Sequence, residues 1–153
     1  MTKIQIRFGK KTKGWFDKMG ITRLNLQIAL NKALEKEFPD NKFRKKYINI
    51  KVDPRYLDSG YFFGSNTLEI GVAPFKRRYD KKSRRKEFVR DLLHEFRHWI
   101  QDKIFKVRET ELDYSLEDIN YKTKKYYNNK WEVDARKYAS KNFQRAFRIL
   151  FNK

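Results

Sequence analysis

Two histidines lie four residues apart in the sequence His-Glu-Phe-Arg-His, which spans residues 94–98. On an α-helix, residues four apart lie one above the other on the same face. Two imidazoles placed in this way can bind one zinc ion at about 2.0–2.1 Å. Glu95 lies beside them, where it can take a proton from a zinc-activated water. The spacing therefore predicts a zinc site with His94 and His98 as ligands and Glu95 as the general base.

Chance is a poor explanation for this motif, because the chain contains only two histidines. A separation of four, with glutamate directly after the first histidine, arises by chance about once in a thousand such sequences. Apolar residues at spacings of three and four also predict a helix from about Arg84 to Val107. Its buried stripe is predicted to contain Val89, Leu93, Phe96, Ile100, Ile104 and Val107. A polar surface, such as an active-site helix needs beneath a cleft, is predicted opposite, formed by Asp91, His94, Glu95, His98, Gln101 and Asp102.

A catalytic zinc site usually has three protein ligands and keeps one position for water. The chain has no third histidine and no cysteine, so the third ligand is expected to be Asp or Glu unless another chain supplies it. Asp102 is one turn beyond His98 on the same helix, too far along the axis to complete a tetrahedron. Glu109, Glu111 and Asp113 remain alternatives in the segment that follows.

Glu132 is the preferred third ligand. It stands near the start of the last predicted helix, from about Asn129 to Phe151. Ala135 and Ala139 follow on the same helix face, and such small side chains would allow a close approach to the helix that carries the histidines. The simpler explanation is that an acid in the first turn of a helix is stabilised by the helix dipole. The need for three ligands favours the ligand role.

The remaining segments predict a single α+β domain over residues 1–153. Alternating apolar residues predict strands at 3–8 and 47–52, and a further strand from Leu68 to Val72 after a turn at 64–66. A helix is predicted from about Leu24 to Phe38, with Thr22 or Thr12 as its cap. This order is typical of a small mixed or antiparallel sheet packed on helices, and not of alternating βαβ units.

The formal net charge of +19 predicts attraction to polyanions such as nucleic acid, anionic membranes or acidic proteins. The segment from Lys76 to Lys86 contains eight basic residues in eleven and is the candidate contact for non-specific nucleic-acid binding. A solvated loop is the simpler explanation for this segment, since lysines are scattered along the whole chain. No base-reading motif is visible, so sequence-specific recognition is not expected.

The composition also bears on location. The absence of cysteine excludes disulfides and thiolate metal sites. The N-terminal sequence lacks the apolar run and cleavage site of a signal peptide, and no segment approaches the roughly 20 apolar residues of a membrane span. We therefore expect a cytoplasmic protein, or a virion-associated one if it is encoded by a phage.

The HExxH motif at 94–98 and the helix that carries Glu132 together resemble those of the gluzincins, in particular small ImmA/IrrE-type and phage-encoded metallopeptidases. In these proteins HExxH is followed by a helix of the form E-x-E-A-N-x-F-A, and the matching positions here are Glu132, Asp134, Ala135, Tyr138 and Ala139. The resemblance implies a zincin-like fold, zinc held by His94, His98 and Glu132, and peptide hydrolysis with Glu95 as the base. It also implies a strand that pairs with an extended peptide, for which Leu68 to Val72 is the candidate.

One position departs from the pattern of this family, which often has Asn or Asp where this chain has Arg136. In thermolysin-like members an acid there orients a zinc-binding histidine. Asp91 and Asp134 are candidate substitutes.

Candidate oxyanion stabilisers, chosen only by residue type, are Tyr121, Tyr126 and Tyr127. The alternative function is a structural or nucleic-acid-associated protein of zincin fold, for example a phage virion or assembly component, with little or no activity. A third possibility combines the two, as a protease recruited to DNA-bound or acidic protein.

Overall fold

The computed structural model of the chain describes residues 4–39, 46–76, 80–108 and 128–151. One sheet is formed by strands β1 (Ile4–Arg7), β2 (Lys46–Asp53), β3 (Gly60–Tyr61) and β4 (Thr67–Gly71). The α-helices in these ranges are α1 (Lys10–Met19), α2 (Arg23–Glu37), α3 (Lys81–Lys103) and α4 (Lys130–Phe151), and a 3-10 helix covers Ala73–Phe75. The predicted α+β class is confirmed. No helix in the described ranges is long and apolar enough to cross a membrane.

The sheet is mixed, with the strand order β1-β2-β4-β3. β1, β2 and β4 run parallel, whereas β3 is antiparallel to β4. Parallel neighbours require a long connection that crosses the sheet, and α1 and α2 together provide it between β1 and β2. Helix α1 has no counterpart in the sequence-based prediction, because only Thr12, Phe16 and Met19 of its ten residues are buried.

The start of α2 distinguishes the two candidate caps. The side-chain oxygen of Thr22 accepts a hydrogen bond from the backbone N–H of Asn25 at 3.1 Å, so Thr22 is the cap. The Thr12 side chain instead accepts from the backbone N–H of Val52 at 3.1 Å. Thr12 therefore ties α1 to β2.

Strand β4 lies inside the sheet, between β2 and β3. In addition to the short strand β3, the segment before β3 also covers this edge of β4. The backbone N–H of Val72 donates to the carbonyl of Tyr56 at 2.9 Å. Gly71 permits this close approach, because a Cβ atom there would collide with the Leu57 carbonyl. The prediction that Leu68–Val72 is available to pair with a peptide is therefore wrong. Among the described strands, the outer position on this side belongs to β3.

Helix α3 packs most extensively against α4. It begins at Lys81 and ends at Lys103, slightly earlier at both ends than predicted. Asp80 caps it, its carboxylate accepting from the backbone N–H of Ser83 at 2.7 Å. Most of the predicted stripe is buried, but Phe88, Leu92 and Trp99 are buried as well. On the opposite, polar face, which packs in part against α4, three residues are buried and three are half-buried: Glu95, His98 and Gln101, and Asp91, His94 and Asp102.

The basic segment from Lys76 to Lys86 is not a uniform solvated loop. Residues 77–79 lie outside the described ranges, and the segment from Lys81 onward forms the first turns of α3. Lys81 and Lys82 are exposed, but Arg85 is half-buried, with its guanidinium 4.8 Å from the centre of the Phe151 ring. Part of the predicted contact segment therefore serves helix packing.

Candidate metal centre

His94, His98 and Glu132 converge where α3 packs against α4. The Nε2 atom of His94 lies 3.0 Å from Glu132 Oε2, and that of His98 lies 3.1 Å from Glu132 Oε1. The two Nε2 atoms are 3.2 Å apart. We call these three residues the His–His–Glu cluster. It contains the three predicted metal ligands, which the fold brings together across a sequence separation of 38 residues.

These distances are slightly shorter than the spacing that a tetrahedral metal would require. Ligand atoms at about 2.0–2.1 Å from zinc and at tetrahedral angles lie about 3.3–3.4 Å from one another. The donor set also fits, since two imidazoles and one carboxylate form a known catalytic zinc set. His98 and Glu132 are only 4% and 1% exposed. Their nitrogen and oxygen atoms are therefore buried close together, which requires a shared proton or a cation between them. The residues present therefore fit a divalent metal such as zinc.

Gln101 sets the orientation of His98. The His98 Nδ1 atom lies 2.8 Å from Gln101 Oε1. The Gln101 amide nitrogen donates to the Trp131 carbonyl and to Asp134 Oδ2, both at 2.9 Å. Because both of these partners only accept, the amide oxygen of Gln101 must face His98, so Nδ1 carries the proton that it donates. Nε2 is therefore the ring nitrogen that can lose its proton and bind a metal, and it faces His94 and Glu132.

Arg97 supports the same network from behind. It donates from Nε to Asp134 Oδ2 at 2.8 Å and from Nη1 to Glu37 Oε2 at 2.7 Å. The chain of contacts thus runs from His98 through Gln101 and Asp134 to Arg97, and ends on α2. Asp134 supports the histidine indirectly, through Gln101. The candidates from the sequence for orienting a histidine are Asp91 and Asp134, and Gln101 is not among them. The position of Gln101, three residues after His98, is a signal that could have identified it.

The charges of the centre follow from its burial and its contacts. Burial alone would raise the pKa of Glu132, but hydrogen bonds from both histidines hold it well below its usual range. Burial alone would lower the pKa of His98, yet Glu132 and the nearby Glu95 raise it to about 9. Burial raises the pKa of Glu95, an effect that the two histidines partly offset. A raised pKa makes the Glu95 carboxylate a stronger base.

The cluster opens on one side into a cavity of about 750 Å³. We call it the metal-side cavity; its lining includes Asp58, Glu87, Arg90, Asp91, His94, Glu95, Glu132 and Arg136. Glu95 is 7% exposed and accepts no hydrogen bond from the part of the chain that the structure describes. Its carboxylate borders the cavity next to His94, which is where a base must lie to reach a water or substrate beside the metal.

The other predicted polar residues have separate places. Asp91 lines the metal-side cavity and accepts from the Ser59 hydroxyl at 3.0 Å; burial raises its pKa to about 7. Asp102 points away from the cluster, accepting from the Tyr61 hydroxyl at 2.6 Å and from the Gly64 backbone N–H at 2.7 Å. Asp102 therefore fastens the β3–β4 hairpin to α3 and is not a ligand.

Several candidates fall outside the described ranges. These are the alternative ligands Glu109, Glu111 and Asp113, and the candidate oxyanion stabilisers Tyr121, Tyr126 and Tyr127. Arg136 is described and lines the metal-side cavity, at the position where the related pattern has an acid. In thermolysin-like members that acid orients a zinc-binding histidine; in this chain Gln101 orients His98.

Comparison of the chain with known protein families, with curated proteins and with solved structures gave no match.

Proposed function

We propose that this chain is a zinc-dependent metallopeptidase of zincin-like architecture. The observation that supports this most strongly is the His–His–Glu cluster, whose ligand atoms already lie 3.0–3.2 Å apart. A metal used only for structure is normally enclosed by four protein ligands, whereas a catalytic metal keeps an open position. Three protein ligands beside a cavity of about 750 Å³ correspond to the second arrangement.

Each residue of the centre has a role in this proposal. His94, His98 and Glu132 would hold zinc, which when bound supplies a Lewis acid that polarises a carbonyl group and lowers the pKa of water. The Glu95 carboxylate would accept a proton from the attacking water and pass it to the nitrogen of the leaving amine. Gln101 keeps the Nδ1 proton of His98 in place, so that Nε2 stays available as a ligand.

The fold around the centre supports a peptide as the substrate. The metal-side cavity is large enough for several side chains. Its walls carry polar groups from α3, α4 and the segment before β3, among them Ser59, Asp91 and Arg136. Arg136 faces this space as a cation and is a candidate for binding a carbonyl oxygen or a peptide carboxylate.

The decisive experiment compares Glu95→Gln with the parent chain. We expect one zinc per chain in both proteins by elemental analysis, with hydrolysis of a peptide library, followed by mass spectrometry, lost only in the variant. The rate should fall by at least about 100-fold, because the amide cannot accept the proton. The matched control is Glu87→Gln, which changes another glutamate of the same cavity and should retain activity.

Two results would contradict the proposal. Absence of zinc from the parent chain, even after dialysis against zinc, would rule out the metal centre. Stoichiometric zinc with no cleavage of any peptide would favour the alternative, a non-catalytic protein of zincin fold.

A further inference from the structure

We infer that the groove between α2 and α4 binds the phosphate backbone of nucleic acid. This groove consists of two adjoining hollows of about 490 and 550 Å³, which share Lys36 in their walls. It lies on the side of Arg97 and Asp134 and shares no lining residue with the metal-side cavity, because α4 contributes different residues to each. The inference is independent of the proposed peptidase activity.

The groove is lined by rows of exposed basic residues. Lys137, Lys141 and Arg145 follow one another at intervals of four on α4, and Lys32 and Lys36 have the same interval on α2. Residues four apart lie on one helix face, about 6 Å apart along the axis. Two phosphates of one strand advance about 6.8 Å along the axis of a duplex, a spacing close to that of the cations in each row.

Most of these basic side chains have no acidic partner. Within the described ranges, Lys36, Lys137, Lys141 and Arg145 form no ion pair, and Lys32 lies 3.6 Å from Glu35. The other carboxylates of the groove, Glu37 and Asp134, are both occupied by Arg97. Four cations therefore remain available to a ligand, while the carboxylates beside them are partly neutralised.

The shape of the site favours nucleic acid over a membrane surface. A membrane-binding patch needs a broad surface that can lie against lipid headgroups, whereas these cations border a concave groove. A groove with cations on both sides suits a single rod of regularly spaced phosphates. No base-reading motif is visible in the sequence, so the contacts should be to the backbone and independent of base sequence.

The test uses two variants of the full chain with equal loss of charge. The groove variant carries Lys32→Gln, Lys36→Gln, Lys137→Gln, Lys141→Gln and Arg145→Gln. The control variant carries five changes at exposed lysines outside both the groove and the Lys76–Lys86 segment: Lys10→Gln, Lys11→Gln, Lys18→Gln, Lys106→Gln and Lys130→Gln. Binding of a random-sequence DNA duplex is measured by fluorescence anisotropy at several salt concentrations, after circular dichroism has shown that each variant is folded.

We expect the parent and the control variant to bind the duplex with similar salt dependence. The groove variant should bind more than about tenfold more weakly, and its salt slope should fall by about 4 to 5, since each lost phosphate contact removes about 0.9. If the groove variant does not fold, the pair Lys137→Gln and Lys141→Gln replaces it, with an expected loss in slope of about 2.

Three outcomes would overturn the inference. Equal losses in the groove and control variants would show that a diffuse field, and not this groove, attracts DNA. No binding by the parent chain near physiological salt would exclude a nucleic-acid ligand. Binding to vesicles containing phosphatidylserine, without binding to DNA, would assign the groove to a membrane surface instead.

Discussion

Helix α4 separates two hollows of opposite charge. The metal-side cavity contains five carboxylates and two arginines. The α2–α4 groove contains six basic side chains and three carboxylates. A chain with a formal charge of +19 thus concentrates several of its 19 acidic residues around one cavity. Net charge predicts attraction to polyanions but not the place where they bind, because burial and ion pairing decide which charges are available.

The two hollows also differ in how their polar groups are held. In the candidate metal centre, the side chains of His98, Gln101 and Glu132 are buried, and each has a polar partner at 2.8–3.1 Å. In the groove, Lys36, Lys137 and Lys141 are exposed and form no ion pair in the described chain, and Lys32 has only the exposed Glu35, at 3.6 Å. Substitutions in the metal centre should therefore have large, specific effects, whereas substitutions in the α2–α4 groove should have small, additive effects.

The largest effect is expected from Glu132→Ala, which removes one of the three proposed zinc ligands. Zinc affinity should fall by more than about 100-fold, the upper end of the loss expected when only a partner of a ligand is removed. Competition with a chromophoric chelator measures this affinity. Glu87→Ala is the matched control, since it removes another glutamate from the same cavity and should change zinc affinity little. Similar affinities in Glu132→Ala and the parent would place the third ligand elsewhere.

A smaller effect on zinc binding is expected from Gln101→Met. Methionine keeps the size of the side chain but lacks the amide oxygen that accepts the hydrogen bond from His98 Nδ1. Zinc affinity should fall by about 10- to 100-fold because the imidazole loses its fixed orientation. The same chelator competition applies. Gln144→Met is the control, because Gln144 lines the same cavity without contacting the ligands in the described structure. An unchanged affinity in Gln101→Met would mean that His98 is oriented by other contacts.

The smallest effect is expected from Lys141→Gln in the α2–α4 groove. The free energy of unfolding in urea should change by less than about 0.5 kcal/mol, since this lysine is exposed and unpaired in the described chain. Zinc affinity should equal that of the parent, while the salt slope for DNA should fall by about 1. A change in zinc affinity would show that the metal centre and the α2–α4 groove are coupled, and would contradict the view that they act separately.

Local patterns in the sequence were enough to predict the main parts of the centre. The spacing of His94 and His98 needs only a helix to become a ligand pair, and helices follow from short-range periodicity. The lack of a third histidine and of cysteine, which is a fact of composition, predicts an acidic third ligand. The small residues Ala135 and Ala139 on the same helix face favour Glu132 among the acids. The class of fold and the bounds of α2 and α4 followed from similar local signals.

Other features depend on contacts between segments far apart in the chain, and only the tertiary structure decided them. Gln101 became the partner of His98 because Asp134 and the Trp131 carbonyl, both brought by α4, fix the direction of its amide. β4 was covered because β3 and the chain before it pack on its outer edge. The groove exists only where α2 and α4 meet. A sequence pattern records the neighbours of a residue along one element, whereas these features arise from which elements pack together.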